Sequence, residues 1–134
     1  VMANYHDIPN LHFTGHVEGE EKMKYIREAK ILVNTSIHEA LPITFLEALA
    51  YGTLLVSCRN PEDLTSEFGR YVGPVLGDGF GKVPLFVTAI EEVINNEELR
   101  SELFCKAVEY IREVHPVRKF QYNMKALIHN LTHK

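Results

Sequence analysis

The chain has no tryptophan, two cysteines and three aspartates, and each scarcity removes a class of function. Cys58 and Cys105 lie far apart, without CxxC or zinc-ligand spacing. They read as reduced thiols of a cytosolic protein, not as a disulfide framework or a metal site. Asp7, Asp63 and Asp78 form no Asp-x-Asp pair, the arrangement that grips a metal-bound diphosphate through hard oxygen ligands. The histidines fall at no metal-ligand spacing, and no Ser, Cys and His set stands out as a nucleophile with its base. No apolar run approaches the ~20 residues of a membrane span, and the N-terminus has no signal-peptide pattern. Positive charge is short as well: net charge is −4, with Lys and Arg scattered among acids. That argues against a nucleic-acid partner. There is no internal repeat and no low-complexity stretch.

What is present suits one soluble α/β domain. At 134 residues, 46% hydrophobic and 24% charged, the chain is long enough to bury a core of its own.

The organising stretch is NTSIHEALPITFLEALAYG, residues 34–52. It leaves an apolar run, Ile31-Leu32-Val33, that reads as a buried strand. After a polar turn, Pro42 stands at the first position of a helix, where its missing amide costs nothing. Ile43, Phe45, Leu46, Leu49 and Ala50 line one side of that helix. Gly52 falls where a left-handed C-cap residue is wanted, and a second apolar strand, residues 54–57, follows at once. This βαβ unit carries Glu39 in its turn and Glu47 on its helix. Glu47 lies roughly 7–8 Å down the helix from Pro42, at 1.5 Å per residue. The first free amides, those of Ile43, Thr44 and Phe45, point outward beside Glu39, at the positive end of the helix dipole. A phosphate at that mouth meets unpaired donors, and a carboxylate at Glu47 can accept from vicinal ribose hydroxyls. In open α/β sheets such turns, at the carboxyl ends of strands, hold ligands. By spacing alone, a polar turn followed by a solvated helical Glu accounts for the same residues.

Glu39, seven residues, then Glu47-Ala48-Leu49-Ala50-Tyr51-Gly52, preceded by Asn34-Thr35-Ser36, resembles the donor-site motif of GT-B glycosyltransferases of the family-four type, the glycosyl transferases group one. The resemblance implies that Glu39 is the catalytic residue, lying by the donor sugar and phosphates to position and stabilise charge rather than to attack the sugar. It implies that Glu47 holds the ribose, and that Leu41, Pro42, Ile43 and Thr44 form the diphosphate cradle. Ala40 and Pro42 stand where the family often has glycine, so Pro42 withholds one amide. The amides of Leu41, Ile43 and Thr44 and the Thr44 hydroxyl have to suffice. Upstream, Phe13, Gly15, His16 and Val17 follow the family's Phe-x-Gly-x-Val pattern, whose loop lies against the nucleotide base. Gly15 and His16 are therefore expected at the base.

The remaining chain yields elements by pattern. Residues 1–10 give no strong signal; residues 11–14 alternate as a strand. Residues 20–30 form a surface helix with Met23, Tyr25, Ile26 and Ala29 inward and a Glu20–Lys24 pair outward. Asn60-Pro61-Glu62-Asp63 starts a helix running to about Phe68 and stopping at Gly69. Arg59 and Asn60 there are neighbours of the donor sugar by resemblance, or ordinary capping residues. Residues 71–75 read as a fourth strand ending at Pro74. Residues 76–83 (LGDGFGKV) lack the context of a phosphate-binding glycine loop and read as a flexible connection. Helices follow over 84–95, 97–113 and, after His115-Pro116, 117–131.

The sum is a Rossmann-like, three-layer αβα domain on a parallel sheet of about four strands. It is expected to be most of the C-terminal, nucleotide-sugar-binding half of a GT-B enzyme, without the acceptor half and the first donor-half strands. The resemblance implies transfer of a sugar from a UDP- or GDP-sugar to an acceptor (lipid, saccharide or small molecule), with retention, without a metal or other cofactor, in the cytoplasm. Membrane association is expected only through the missing half. A nucleotide-sugar epimerase of the same architecture, or a non-catalytic α/β module binding a nucleotide or a protein, are the alternatives.

Overall fold

Four consecutive small and apolar residues, Leu54–Ser57, form strand β2, and all four are buried. A strand covered on both faces has no use for alternation, which is why it reads as an unbroken apolar run. The computed structural model of the protein describes Tyr5 and residues 7–132. Residues 1–4 and 6 of the opening stretch, and 133–134, lie outside the described residues.

β2 is the middle of a three-stranded parallel sheet in the order β1-β2-β3. β1 is Ile31–Asn34 and β3 is Gly69–Tyr71. Leu32 pairs with Leu55 on one side, and Leu55 with Gly69 on the other. Successive side chains leave a strand on opposite faces, so β2 feeds two cores. Leu55 joins Ile26, Phe45, Ala48, Leu49, Leu64, Phe68 and Ala107 on one face. Leu54 and Val56 join Ala89, Val93 and Leu103 on the other. The helices that supply these residues are α1 (Gly19–Glu28), α2 (Ile43–Ala50), α3 (Leu64–Glu67), α4 (Val83–Asn95) and α5 (Glu97–Val114). The result is the expected three-layer α/β arrangement. Each of the large β2 side chains contributes about 1.5–3 kcal/mol by leaving water.

The junction from α2 into β2 is tightly specified. The Thr53 amide bonds the Ala48 carbonyl at 2.9 Å and the Gly52 amide bonds that of Leu49 at 3.0 Å. This is the paired closure of a helix end that needs a left-handed residue, and Gly52 has φ +74°. The buried Thr53 hydroxyl then donates to the Ile26 carbonyl at 2.7 Å, which fixes the end of α1 against the same junction.

Four expectations are corrected. Residues 11–14 form no strand, so among the described residues the sheet has three strands, not four; Leu11 and Phe13 are exposed and no described strand pairs with them. An alternating pattern makes a strand only when a ladder is available to complete it. β3 starts two residues earlier than expected, and Val72 only extends it with one bond, its amide to the Ser57 carbonyl at 3.0 Å. The helix expected from Asn60 is broken: Pro61–Asp63 make a single 3-10 turn, Glu62 and Asp63 are left-handed at φ 51° and 61°, and α3 begins only at Leu64. The connection over 76–83 is partly ordered, with a 3-10 turn at Phe80–Lys82 leading into α4. The last helix, α6, covers Val117–Thr132 and buries none of its side chains.

Candidate functional site

Because the three strands are parallel, the segments after β1, β2 and β3 emerge at one edge of the sheet, where α/β proteins place ligands. Asn34, the last residue of β1, organises that edge. Its Oδ1 accepts from the Ser36 amide at 3.0 Å and from the Ser57 hydroxyl at 3.5 Å. Its Nδ2 donates to Oε2 of Glu39 at 3.3 Å. The end of one strand thereby orients the carboxylate in the following turn. Arg59, just past β2, completes the link: its Nη2 donates to the Glu39 backbone carbonyl at 2.7 Å. Arg59 is itself clamped, its amide on Ser57 Oγ at 2.9 Å and its carbonyl receiving the Thr65 hydroxyl at 2.7 Å. Its Nε is shielded from water and has no acceptor. Asn60 Oδ1 accepts from the Ser66 amide of α3 at 3.0 Å, while the N-cap position of that helix is held by Asp63.

The turn delivers the chain to α2. Pro42 occupies the N-cap at φ −63°, ψ 127°, one position earlier than expected, and no side chain caps the helix. The Phe45 amide is satisfied by the Pro42 carbonyl at 3.0 Å. Among the described residues the amides of Ile43 and Thr44 have no acceptor, so the mouth offers two free helical donors where three were expected. Pro42 is buried and Leu41 and Thr44 are half-buried. Ile43, expected on the inward side, is 73% exposed; Phe45, Ala48 and Leu49 form the buried side instead. The first turn of a helix projects beyond the layer it packs on, so an apolar residue there stays in solvent.

Glu47 is held differently from Glu39. Lys22 Nζ, on α1, donates to Glu47 Oε1 at 2.8 Å, and the two side chains keep 32% and 23% of their exposure. Oε2 is shielded from water and has no donor among the described residues. Lys22 is the residue that pattern reading missed: α1 was expected to pair Glu20 with Lys24, and no such ion pair forms among the described residues. Only the fold brings together two side chains 25 positions apart.

Gly15 and His16 lie in the exposed segment before α1. Gly15 has φ +68°, and His16 Nε2 pairs with Glu18 Oε1 at 2.6 Å. No hydrogen bond joins either residue to the α2 mouth. A cavity of about 370 Å³ adjoins the turn, lined by Thr35, Ile37, Val75, Phe80, Val83 and Phe86 among others. None of the residues expected at the site lines it. Among the described residues no three His, Cys, Asp or Glu side chains come together as metal ligands, and no helix is long and apolar enough to cross a membrane.

The family model described as glycosyl transferases group 1 matches residues 2–109. The chain belongs to that family. No curated protein and no solved structure matches it. In this glycosyltransferase domain, the matched span takes in the sheet, the α2 mouth, both glutamates and most of α5, and α6 lies beyond it. The edge described above thus belongs to a sugar-transferring family, and its chemistry is that of a polar crevice. The turn after β1 carries one carboxylate oriented by Asn34 and a backbone carbonyl held by the Arg59 guanidinium, and α2 carries a second carboxylate paired with Lys22.

Proposed function

We propose that this group 1 glycosyltransferase domain is most of the donor-binding half of a GT-B enzyme. It transfers a sugar from a UDP- or GDP-sugar, with retention and without a metal, to an acceptor bound elsewhere in the polypeptide, in the cytoplasm. Glu39 stands by the reacting sugar. Asn34 fixes its carboxylate, and a fixed negative charge stabilises positive charge developing at the sugar carbon. The Ile43 and Thr44 amides and the helix dipole meet the leaving diphosphate, with the Leu41 amide and the Thr44 hydroxyl beside them. Glu47 accepts from the ribose, and the Gly15–His16 backbone lies against the base. No cofactor enters the scheme, because charge is met by amides and side chains.

The observation that carries this reading is the placement of Glu39, held by Asn34 Nδ2 on its carboxylate and Arg59 Nη2 on its carbonyl, just before the uncapped N-terminus of α2, the helix that carries Glu47. Glu47→Ala in the whole polypeptide removes charge-assisted hydrogen bonds of ~1.5–3 kcal/mol each. Nucleotide affinity is expected to fall roughly 10- to 100-fold or more. The loss shrinks sharply for the 2′,3′-dideoxy nucleotide, which has no hydroxyl to offer. Calorimetric titration of both nucleotides against both proteins decides it: equal losses would leave Glu47 a structural charge.

A further inference from the structure

Of the three basic residues of α1, Lys24 and Arg27 are exposed, and only Lys22 is partly withdrawn and ion-paired, to Glu47. The bond spans two helices and is not a local i,i+4 contact. α1 cannot drift from α2, because the Thr53 hydroxyl at the α2–β2 junction reaches the Ile26 carbonyl at 2.7 Å. The ammonium of Lys22 is therefore carried to Glu47 by a fixed backbone.

We propose that Lys22 is a positioning residue of the nucleotide site, holding Glu47 by Oε1 so that its partly exposed carboxylate keeps one orientation toward a ribose hydroxyl. This rests on the reading of Glu47 as the ribose acceptor. One physical effect supports it. A free glutamate samples several rotamers, and a carboxylate pinned by an ammonium keeps a single one. That is preorganisation, which raises affinity by lowering the ordering cost of binding. Phe45, Ala48 and Leu49 on the same helix are buried apolar residues and offer Glu47 no alternative donor.

The test uses the whole polypeptide and whichever of UDP and GDP it binds more tightly, together with the 2′,3′-dideoxy form of that nucleotide. Lys22→Met is expected to weaken the ribonucleotide by roughly 5- to 20-fold, the range of couplings between contacting residues. It should leave the dideoxy nucleotide within about twofold if the effect passes through the ribose. Lys22→Arg should restore most of the affinity, since it keeps a donor and a charge. The double variant Lys22→Met/Glu47→Gln should bind no more weakly than Glu47→Gln alone. Thermal unfolding without nucleotide monitors a purely structural loss, which would weaken both nucleotides alike. Undiminished ribonucleotide binding by Lys22→Met, with Glu47→Gln selectively impaired, overturns the role of Lys22 and spares that of Glu47. Equal loss of both nucleotides in Glu47→Gln overturns the ribose reading, and the Lys22 inference with it.

Discussion

Glu39 and Glu47 carry the same chemical group in opposite surroundings, and their proposed roles follow from the difference. Glu39 is exposed, accepts one amide hydrogen from Asn34 and has its backbone carbonyl held by Arg59. It is free to face a reacting group that comes and goes. Glu39→Gln keeps the size and the backbone anchor and removes the charge. Turnover is therefore expected to drop on the order of 10²-fold, the scale of one lost electrostatic contact to a transition state. Nucleotide affinity should stay nearly unchanged. Steady-state kinetics beside a binding titration checks both, and the reverse pattern would mean the two acids have been assigned the wrong way round. Gly52 is a residue-scale constraint of another kind. A Cβ there would lie 2.0 Å from Cδ2 of Phe104 on a left-handed backbone. Gly52→Ala is expected to cost about 2–4 kcal/mol, from the conformational penalty and the overlap. Denaturant titration of the whole polypeptide measures it, and a loss under ~1 kcal/mol would show that Phe104 moves aside.

At the scale of elements, the sheet depends on close approach and on ties from strand to helix. β3 can lie against β2 because Gly69 has no side chain; a Cβ at that position would sit 1.7 Å from the Leu55 carbonyl oxygen. Since backbone, not a flexible side chain, stands in the way, Gly69→Ala should open the β2–β3 ladder. Amide exchange is expected to quicken at Arg70 and Val72 while β1–β2 amides stay protected; uniform protection would refute this. The outer side of β3 is tied to α4 by Arg70 Nη2 on Glu92 Oε1 at 2.5 Å. The hydrogen bond from Arg70 holds the Glu92 carboxyl below its ordinary value of 4.5. A depressed carboxyl adds stability that is present above the unfolded value and is lost as pH falls through the folded one. The pair is partly exposed, so solvent screening limits its worth to about 0.5 kcal/mol. Glu92→Gln is expected to lose that small amount at pH 7 and to match the parent protein in strong acid. Melting curves across pH test it, and a gap that widened toward acid would contradict the sign.

For the molecule as a whole, the notable feature is apolar surface left in solvent. β1 is a sheet edge whose Val33 is 44% exposed. Leu76 and Phe80 are 81% and 76% exposed, and α6 shows Val117, Phe120, Leu127, Ile128 and Leu131 on one stripe. Open edges and large apolar patches promote association. The 134-residue chain alone is expected to bind a hydrophobic dye and to self-associate in light scattering. On the donor-half proposal it should also transfer no sugar, because no acceptor site is supplied. A clean monomer without dye binding, or turnover by the purified chain, would count against that proposal.

Much of this was legible along the chain. The apolar runs of β1 and β2, the break at His115-Pro116 and the cap at Gly52 are local signals, governed by neighbours a few residues away. The structure follows them, with Gly52 at φ +74°. The glutamate spacing and the Leu-Glu-Ala run likewise pointed to the family. Where local pattern competed with distant partners, it lost. Residues 11–14 alternate like a strand but have no ladder, and Asn60 to Phe68 reads as one helix but turns left-handed at Glu62 and Asp63. The sequence by itself determined the central βαβ unit, the run of helices after it and the identity of the acids, because those depend on periodicity and capping chemistry. Only the tertiary structure decided that Lys22 meets Glu47, that Asn34 and Arg59 hold Glu39, and that Pro42 leaves two free amides. Those contacts join residues brought close by packing, and separation along the chain carries no record of them.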